Sequence, residues 1–414
     1  MLRSACHQAS MNILIVTTYG FDPAFPSRPE QLQARALVRR GHRVTAHEYL
    51  DHRYPGQSRR HEWLPAGVPV HRSATLGFFA PEALVRLLVA ERPDVIHLHH
   101  MRSLLGFQTV LAARRLGIPT ALTVHGLLHD GDLVADRERP LEAPLRFDNL
   151  LLTPRQLVAR LVRGAHPRRA FRNYLIHAPL LKVDRLVALS HHEAGLLARL
   201  GADPTRITVL PNAVELGQFQ ERSGEAEPVR KNTVLFIGQL VPRKGFDLLA
   251  RAMPAVLREI PDARFLFVGR HSSGQEELRR LAGEGGAADR LELRGWVDEA
   301  EKVRLLREAA VVVAPSRYEG FGIPLIEALA AGAPLITTDA PAGNEVITHE
   351  QTGLLTPYGD VSALAVAIVR LLRDRELARR LGETGRREVL GRYDADRLAA
   401  NLESLYAEMI AGRR

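Results

Sequence analysis

A single cysteine, Cys6, occurs in the 414 residues. An internal disulfide is thereby excluded, and because the opening MLRSACHQAS lacks the apolar stretch of a secretory signal, the sequence points to a reducing cytoplasm. Residues 1–10 read as an unstructured leader, since Met11 directly precedes the first strand-like run. No run approaches the roughly 20 apolar residues that a membrane-spanning helix requires. Aromatic residues amount to 6% and are scattered, which gives no stacking platform for single strands, so no nucleic-acid partner is expected. Acidic residues are missing from one stretch in particular. Between Asn149 and Val183 there is no Asp or Glu, yet Arg155, Arg160, Arg163, Arg168, Arg169, Arg172 and Lys182 all fall there and nearly account for the formal net charge of +9. That excess suggests an anionic contact without choosing among nucleic acid, a membrane surface and a phosphorylated ligand.

What is present is ordinary for a globular protein: 46% apolar and 25% charged residues, in a length that suits two domains. In the front half, NILIVTT (12–18) precedes a helical pattern from Glu30 to Arg40 that stops at Gly41, and RVTAHE follows. The alternation continues through a helix over 81–91, DVIHLHH, a helix over 103–116, TALTVHG, DRLVALS and a helix over 191–200. The pattern restarts at TVLFIGQL after the polar ERSGEAEPVR, and ARFLFVG, RLELRGW, AAVVVAPS and APLITT are each separated by helical segments. Asp298 and Glu301 have the spacing of a capping box. Repeated strand and helix predict an α/β protein with two doubly wound, Rossmann-like domains facing a central cleft. Ligands of such sheets sit beyond the carboxyl ends of the strands, where TVHG, IGQLVPRKG, VGRHSSG and APSRYEGFG lie.

One of these loops carries two carboxylates, Glu319 and Glu327, around Gly-Phe-Gly-Ile-Pro. Pro324 pre-sets the first turn of a helix that would carry Glu327, with Glu319 in the loop before it. Free N–H groups and the positive dipole end at such a helix start favour an anion, and carboxylates accept hydrogen bonds from hydroxyls. A ligand bearing both phosphate and sugar fits that combination. So does a plain helix terminus with acidic neighbours.

Together the loops resemble the retaining glycosyltransferases of family 4, with the GT-B fold, over almost the whole chain after Met11. The resemblance rests on EGFGIPLIE, with VLPNAVEL, PRKG, GWV, APSRYEG, EALAAGAPLITTDAPAGNEVI and TGLL in this order. It implies an acceptor-side domain over 11–215 with a basic helical insertion at about 149–183, a nucleotide-sugar domain over 216–392, and a final helix over 393–414 returning to the front domain. It also assigns roles. Glu319 would accept from donor-sugar hydroxyls, assisted by backbone at Phe321, Gly322 and Ile323; Glu327 would hold the ribose; and the amide of Leu325 would face the diphosphate. Lys244 would neutralise the leaving diphosphate, and His125 would lie beside the donor sugar. Trp296 would lie near the base, unless it is simply a packed aromatic. Two departures stand out: Gln239, after Gly238, replaces the arginine common in the family, with Arg243 as a candidate substitute, and FDPAFPSRPEQ lacks the family's front glycine loop.

The implied reaction moves a sugar from a UDP- or GDP-linked donor to an acceptor hydroxyl of a glycan or lipid-linked acceptor, with retention and with no metal or other cofactor expected. Asp130-Gly131-Asp132 matches a metal motif of a different glycosyltransferase fold, in the wrong architecture. In the acid-free segment, Thr153 and Pro154 read as N-cap and N1, after which Leu157, Val158, Leu161 and Val162 share one helical face. The segment is expected either to dock on anionic lipid, making the enzyme peripheral on the cytoplasmic face, or to pack as a hairpin with a solvated arginine face. A non-catalytic nucleotide-binding homologue and an epimerase on the same scaffold remain as alternatives.

Overall fold

The computed structural model describes residues 10–18, 21, 26–49, 63–64, 67–73, 82–100, 103–127, 147, 150–219, 232–269, 274–341 and 343–413. Most of the leader with Cys6, Asp130-Gly131-Asp132, the polar 221–230 segment and much of the glycine-poor front loop lie outside the described residues.

The front domain contains β1 (Asn12–Thr17), α1 (Pro29–Arg39), β2 (Arg43–Tyr49), β3 (Trp63–Leu64), β4 (Val68–Ser73), α2 (Glu82–Glu91), β5 (Val95–His99), α3 (Leu104–Leu116) and β6 (Thr120–Thr123). It continues with α4 (Pro154–Val162), α5 (Pro167–His177), α6 (Pro179–Lys182), β7 (Arg185–Ala188), α7 (His191–Arg199) and β8 (Ile207–Val209). Its sheet runs β3-β4-β2-β1-β5-β6-β7-β8 and is parallel except for β3. Ile13 lies between Val44 and Val95 across three strands, all three side chains buried. Runs apolar on both faces, such as ILIV in β1, form such central strands because helices cover both sides. Helix ends follow local chemistry: Ser103 accepts from Gly106 N to start α3, and Gly117, at φ 72°, ends it in the left-handed region that glycine tolerates.

The back domain repeats the plan with β9 (Thr233–Ile237), α8 (Phe246–Glu259), β10 (Arg264–Val268), α9 (Gly274–Glu284), β11 (Leu291–Arg294), α10 (Glu299–Glu308), β12 (Val311–Ala314), α11 (Ile323–Ala330), β13 (Leu335–Thr338), α12 (Gly343–Val346), β14 (Leu354–Thr356), α13 (Val361–Arg373) and α14 (Arg375–Arg392). Its parallel sheet runs β11-β10-β9-β12-β13-β14. The strand order reverses between β1 and β5 in front and between β9 and β12 behind, so the crevices of both sheets open at those carboxyl ends.

After α14 the chain crosses back. Val214 N donates to the Tyr393 carbonyl (2.9 Å), and α15 (Ala395–Ala411) lies on α1. Ala399, Leu402, Leu405, Tyr406 and Met409 join the same core as Ile13, Ile15 and Leu37. The Tyr406 hydroxyl, inside that core, accepts from Gln33 Nε2 (2.7 Å) and lies 2.5 Å from His97 Nδ1. Around this buried centre Arg39 pairs with Asp396 and Arg40 with Glu403. Tyr406→Ala deletes a fully buried ring and strands its partners; a loss of roughly 3–5 kcal/mol is expected, read from the urea midpoint followed by near-UV circular dichroism.

Candidate active site

The back-domain wall is built at the ends of β9 and β12. Gly245 follows the short turn Pro242–Lys244 with φ 68°, and a Cβ there would lie 1.9 Å from the Pro315 carbonyl oxygen, so only glycine lets the Lys244 loop close onto the β12 loop. The approach puts Lys244 Nζ 2.6 Å from Glu319 Oε1, with Arg243 NH1 3.8 Å from Glu319 Oε2. Ser316 Oγ also donates to Glu319 Oε1 (2.7 Å). Burial pushes the Glu319 carboxyl up, but Lys244 and Arg243 outweigh it and hold it below its ordinary value. Glu319 is therefore an acceptor with fixed orientation, beside two cations. Arg243 faces this carboxylate, whereas Gln239 is exposed.

Gly322, at φ 95°, caps α11, with Pro324 in its first turn. The Leu325 N–H donates to the Gly322 carbonyl (2.9 Å), and the Phe321 ring is buried against Tyr393, so this residue offers only its backbone to a ligand. One turn on, Glu327 is 6% exposed, its Oε1 2.6 Å from Lys302 Nζ. Lys302 also meets Glu299 (2.8 Å), which accepts from Ser27 of the front domain. Burial pushes the Lys302 ammonium down, but Glu327 and Glu299 outweigh it and raise it; burial raises Glu327 itself, with Lys302 opposing. Trp296 is 51% exposed rather than packed in the core. At α10, Asp298 accepts from Glu301 N (2.8 Å), but Glu301 reaches Arg294 and Arg304 instead of back to the cap, so only half of the capping box forms.

The front wall follows β5 and β6. His125 has φ 57°, and Gly126 beside it approaches Gly320 so closely that a Cβ on Gly320 would meet Gly126 N at 2.8 Å. Leu127 N donates to Tyr318 Oη (2.9 Å) across the same junction. Glu193 of α7, buried, accepts from Gly126 N (2.9 Å) and Leu189 N (2.7 Å), and burial pushes its carboxyl up to about 7. Glu345 of the back domain caps α7 by accepting from His191 N and His192 N, both at 2.7 Å. Around His125 lie His99, with Nδ1 2.7 Å from His125 Nε2, and His100, whose Nε2 is 2.6 Å from Glu30 Oε1. Burial, with His100 beside it, pushes His125 down to about 3, so it stands as a neutral ring at neutral pH.

The structure thus brings His125, Lys244, Glu319 and the start of α11 to facing walls of one cleft, with Glu327 on the back wall. Lys302, Glu299, Glu193, Glu345 and the Glu30, His99, His100 group were not found from sequence. The one available signal for the last was the density of histidine in DVIHLHH, read only as a strand.

Two doubly wound domains joined in this way, with the last helix returned to the first, constitute the GT-B architecture of glycosyltransferases. A family model described as Glycosyltransferase Family 4 matches residues 32–218, and one described as Glycosyl transferases group 1 matches 218–388; the chain belongs to glycosyltransferase family 4. It is similar to the phosphatidyl-myo-inositol mannosyltransferase of Mycobacterium leprae, 37% identical over 209 residues, which are 50% of this chain and 54% of the relative. The GDP-mannose-dependent alpha-(1-6)-phosphatidylinositol monomannoside mannosyltransferase of Mycobacterium tuberculosis is 34% identical over 233 residues, 53% of this chain and 60% of that one. The matches thus span little more than half the length of these curated relatives. In fold it resembles sucrose-phosphate synthase from Thermosynechococcus elongatus, with a TM-score of 0.70, 22% identity, and 97% of this chain and 100% of that chain covered.

The Glu193 brace makes the junction sensitive to pH. Its folded value, about 7, lies above the ordinary value of 4.5, so its contribution to stability is complete in acid and is lost as the pH rises through 7. Between pH 5 and 8 the wild type should lose roughly 2–3 kcal/mol relative to Glu193→Gln, measured as the difference in their urea unfolding free energies.

Proposed function

We propose that the protein transfers a hexosyl group from a nucleoside-diphosphate sugar to the hydroxyl of a lipid-linked acceptor, with retention of anomeric configuration. The observation that carries this is the Lys244, Arg243 and Glu319 cluster facing the start of α11. Charge grows on the leaving diphosphate as the glycosidic bond breaks, and a cation already held in place stabilises that growth without reorganising. Glu319 would share its lone pairs with sugar hydroxyls, Glu327 would receive the ribose, and His125, as a neutral ring, would hydrogen-bond the sugar from the front. Among the described residues no carboxylate stands in a secure nucleophile position, so attack would proceed on the face the diphosphate leaves, with a phosphate oxygen taking the acceptor proton. The chemistry as written uses no metal.

The relatives' mannosyl chemistry makes GDP-mannose the first donor to test and an inositol-bearing lipid the first acceptor class. The acid-free hairpin supports a lipid-borne acceptor. Thr153 and Gln156 form a complete capping box at α4, yet Val158, Leu161 and Val162 on that helix are exposed, and so is Phe171 on α5. Arg155, Arg160, Arg163, Arg168, Arg169 and Arg172 are all exposed beside them. Apolar side chains in water flanked by arginines suit the interface of an anionic bilayer on the cytoplasmic side. Among the described residues no helix is long and apolar enough to cross a membrane.

GDP-mannose should raise the melting temperature, and Glu327→Ala or Lys244→Ala should abolish the shift; labelled mannose should pass to phosphatidylinositol with the wild type and fall at least 100-fold with Lys244→Ala. A shift with no transfer to any lipid would favour a non-catalytic nucleotide binder. Sedimentation with phosphatidylserine vesicles should pellet the protein at low salt, and replacing Arg160, Arg163, Arg168 and Arg169 by Ser should leave it in the supernatant.

A further inference from the structure

The imidazole-rich front wall does more than position His125. Ligand atoms of Glu30, His99 and His125, one from each, all lie within 4.8 Å of one another. Glu30 is 1% exposed and His99 3% exposed. Hydrogen bonding accounts for part of the cluster: His100 holds Glu30 Oε1, and His99 Nδ1 meets His125 Nε2. It leaves Glu30 Oε2 and His99 Nε2 buried and without a partner among the described residues. Two orphaned acceptor-capable atoms in one buried group are costly unless something else meets them.

We propose that Glu30, His99 and His125 form a binding site for a divalent d-block cation of the Zn²⁺ type, and that this cation excludes the donor sugar from the front end of the cleft. Two imidazoles and one carboxylate are a nitrogen-rich set that suits zinc and its neighbours and disfavours magnesium and calcium, which take oxygen. Burial pushes both imidazoles down and keeps them neutral; burial pushes the Glu30 carboxyl up, but His100 and the neighbouring histidines outweigh it and hold it below its ordinary value, so all three stand in the forms that ligate. A tetrahedral site with bonds of about 2.0 Å sets its ligand atoms about 3.3 Å apart, so the three side chains would close inward from their present spread of up to 4.8 Å. His100 then acts one step out: its bond occupies Oε1 and leaves the other oxygen of Glu30 for the ion. The exclusion half of the proposal rests on His125 facing the sugar, as argued above; the binding half does not. A cation drawing on His125 takes away the ring that would meet the sugar, while the nucleotide end at Lys244 and Glu327 is untouched.

The test titrates tag-free, chelator-dialysed protein with zinc chloride against a chromophoric chelator, with no nucleotide present. One tight equivalent is expected. His99→Gln should remove it, His100→Gln should weaken it about 10–100-fold, and His71→Gln, on β4 three strands away from β5, should leave it unchanged. Should His99→Gln unfold, as judged by circular dichroism, the half-buried His125→Gln supplies the same reading. Absence of a tight equivalent, or one that survives both ligand variants, overturns the site. Calorimetry with GDP-mannose and with GDP, each with and without one equivalent of zinc, tests exclusion: GDP-mannose should weaken and GDP should not. Equal weakening of both, or of neither, overturns the exclusion while the zinc titration still decides the site. Binding of neither nucleotide under any condition would count against the donor reading and not against the metal.

Discussion

The cleft depends on one backbone approach: Gly126 of the front domain against Gly320 of the back domain. A side chain at Gly320 would have to displace Gly126 N, so the two strand-end loops set each other's positions atom by atom. Everything chemical hangs on those loops. His125 directly precedes one glycine, and Glu319 directly precedes the other. Glu193 fixes Gly126 from behind with a buried carboxylate, Tyr318 ties Leu127 from across the junction, and Glu345 holds the nearby start of α7 from the opposite domain. Three long-range polar contacts therefore serve one small contact between two residues without side chains.

The cleft walls are electrically unlike. Behind, Arg243, Lys244 and Lys302 are each met by buried or half-buried carboxylates, so that their charges are held in position rather than dispersed in solvent. In front, stacked imidazoles with ring centroids 4.5–5.0 Å apart are kept neutral by burial. The back wall therefore offers fixed positive charge, and the front wall offers neutral ring nitrogens. The asymmetry follows from which sheet each wall belongs to: the back loops end at the helix start of α11, while the front loops end among histidines alternating along β5.

Much of this was legible in the sequence, for physical reasons. Strands such as NILIVTT and TVLFIGQL are apolar on both faces, as buried parallel strands are, and Thr153-Pro154, Gly41 and Pro324 punctuate helices by local chemistry that needs no tertiary partner. Lys244 and Glu319 were each singled out by their motifs, but their ion pair was not legible there. What was not legible comes from contacts between distant segments: Lys302 to Glu327, Glu345 to the start of α7, Glu193 to Gly126. Each is an ordinary surface-type charge in its own sequence window, and only the fold turns it inward. The Gln156 half of the α4 cap, three residues after Thr153, was equally local but was not read from the sequence.

The placement of α15 has a consequence for how the chain is made. A front domain would ordinarily close its core while the remainder is still being synthesised. Here Ala399, Leu402, Tyr406 and Met409 complete a core begun by Ile13 and Ile15, nearly 400 residues earlier. Part of one apolar face of the first sheet, beside α1, therefore stays uncovered until the entire second domain has been translated. Assembly of the cleft thus becomes a quality check on the nascent polypeptide: only a chain that has delivered α15 can seal the domain that α1 begins.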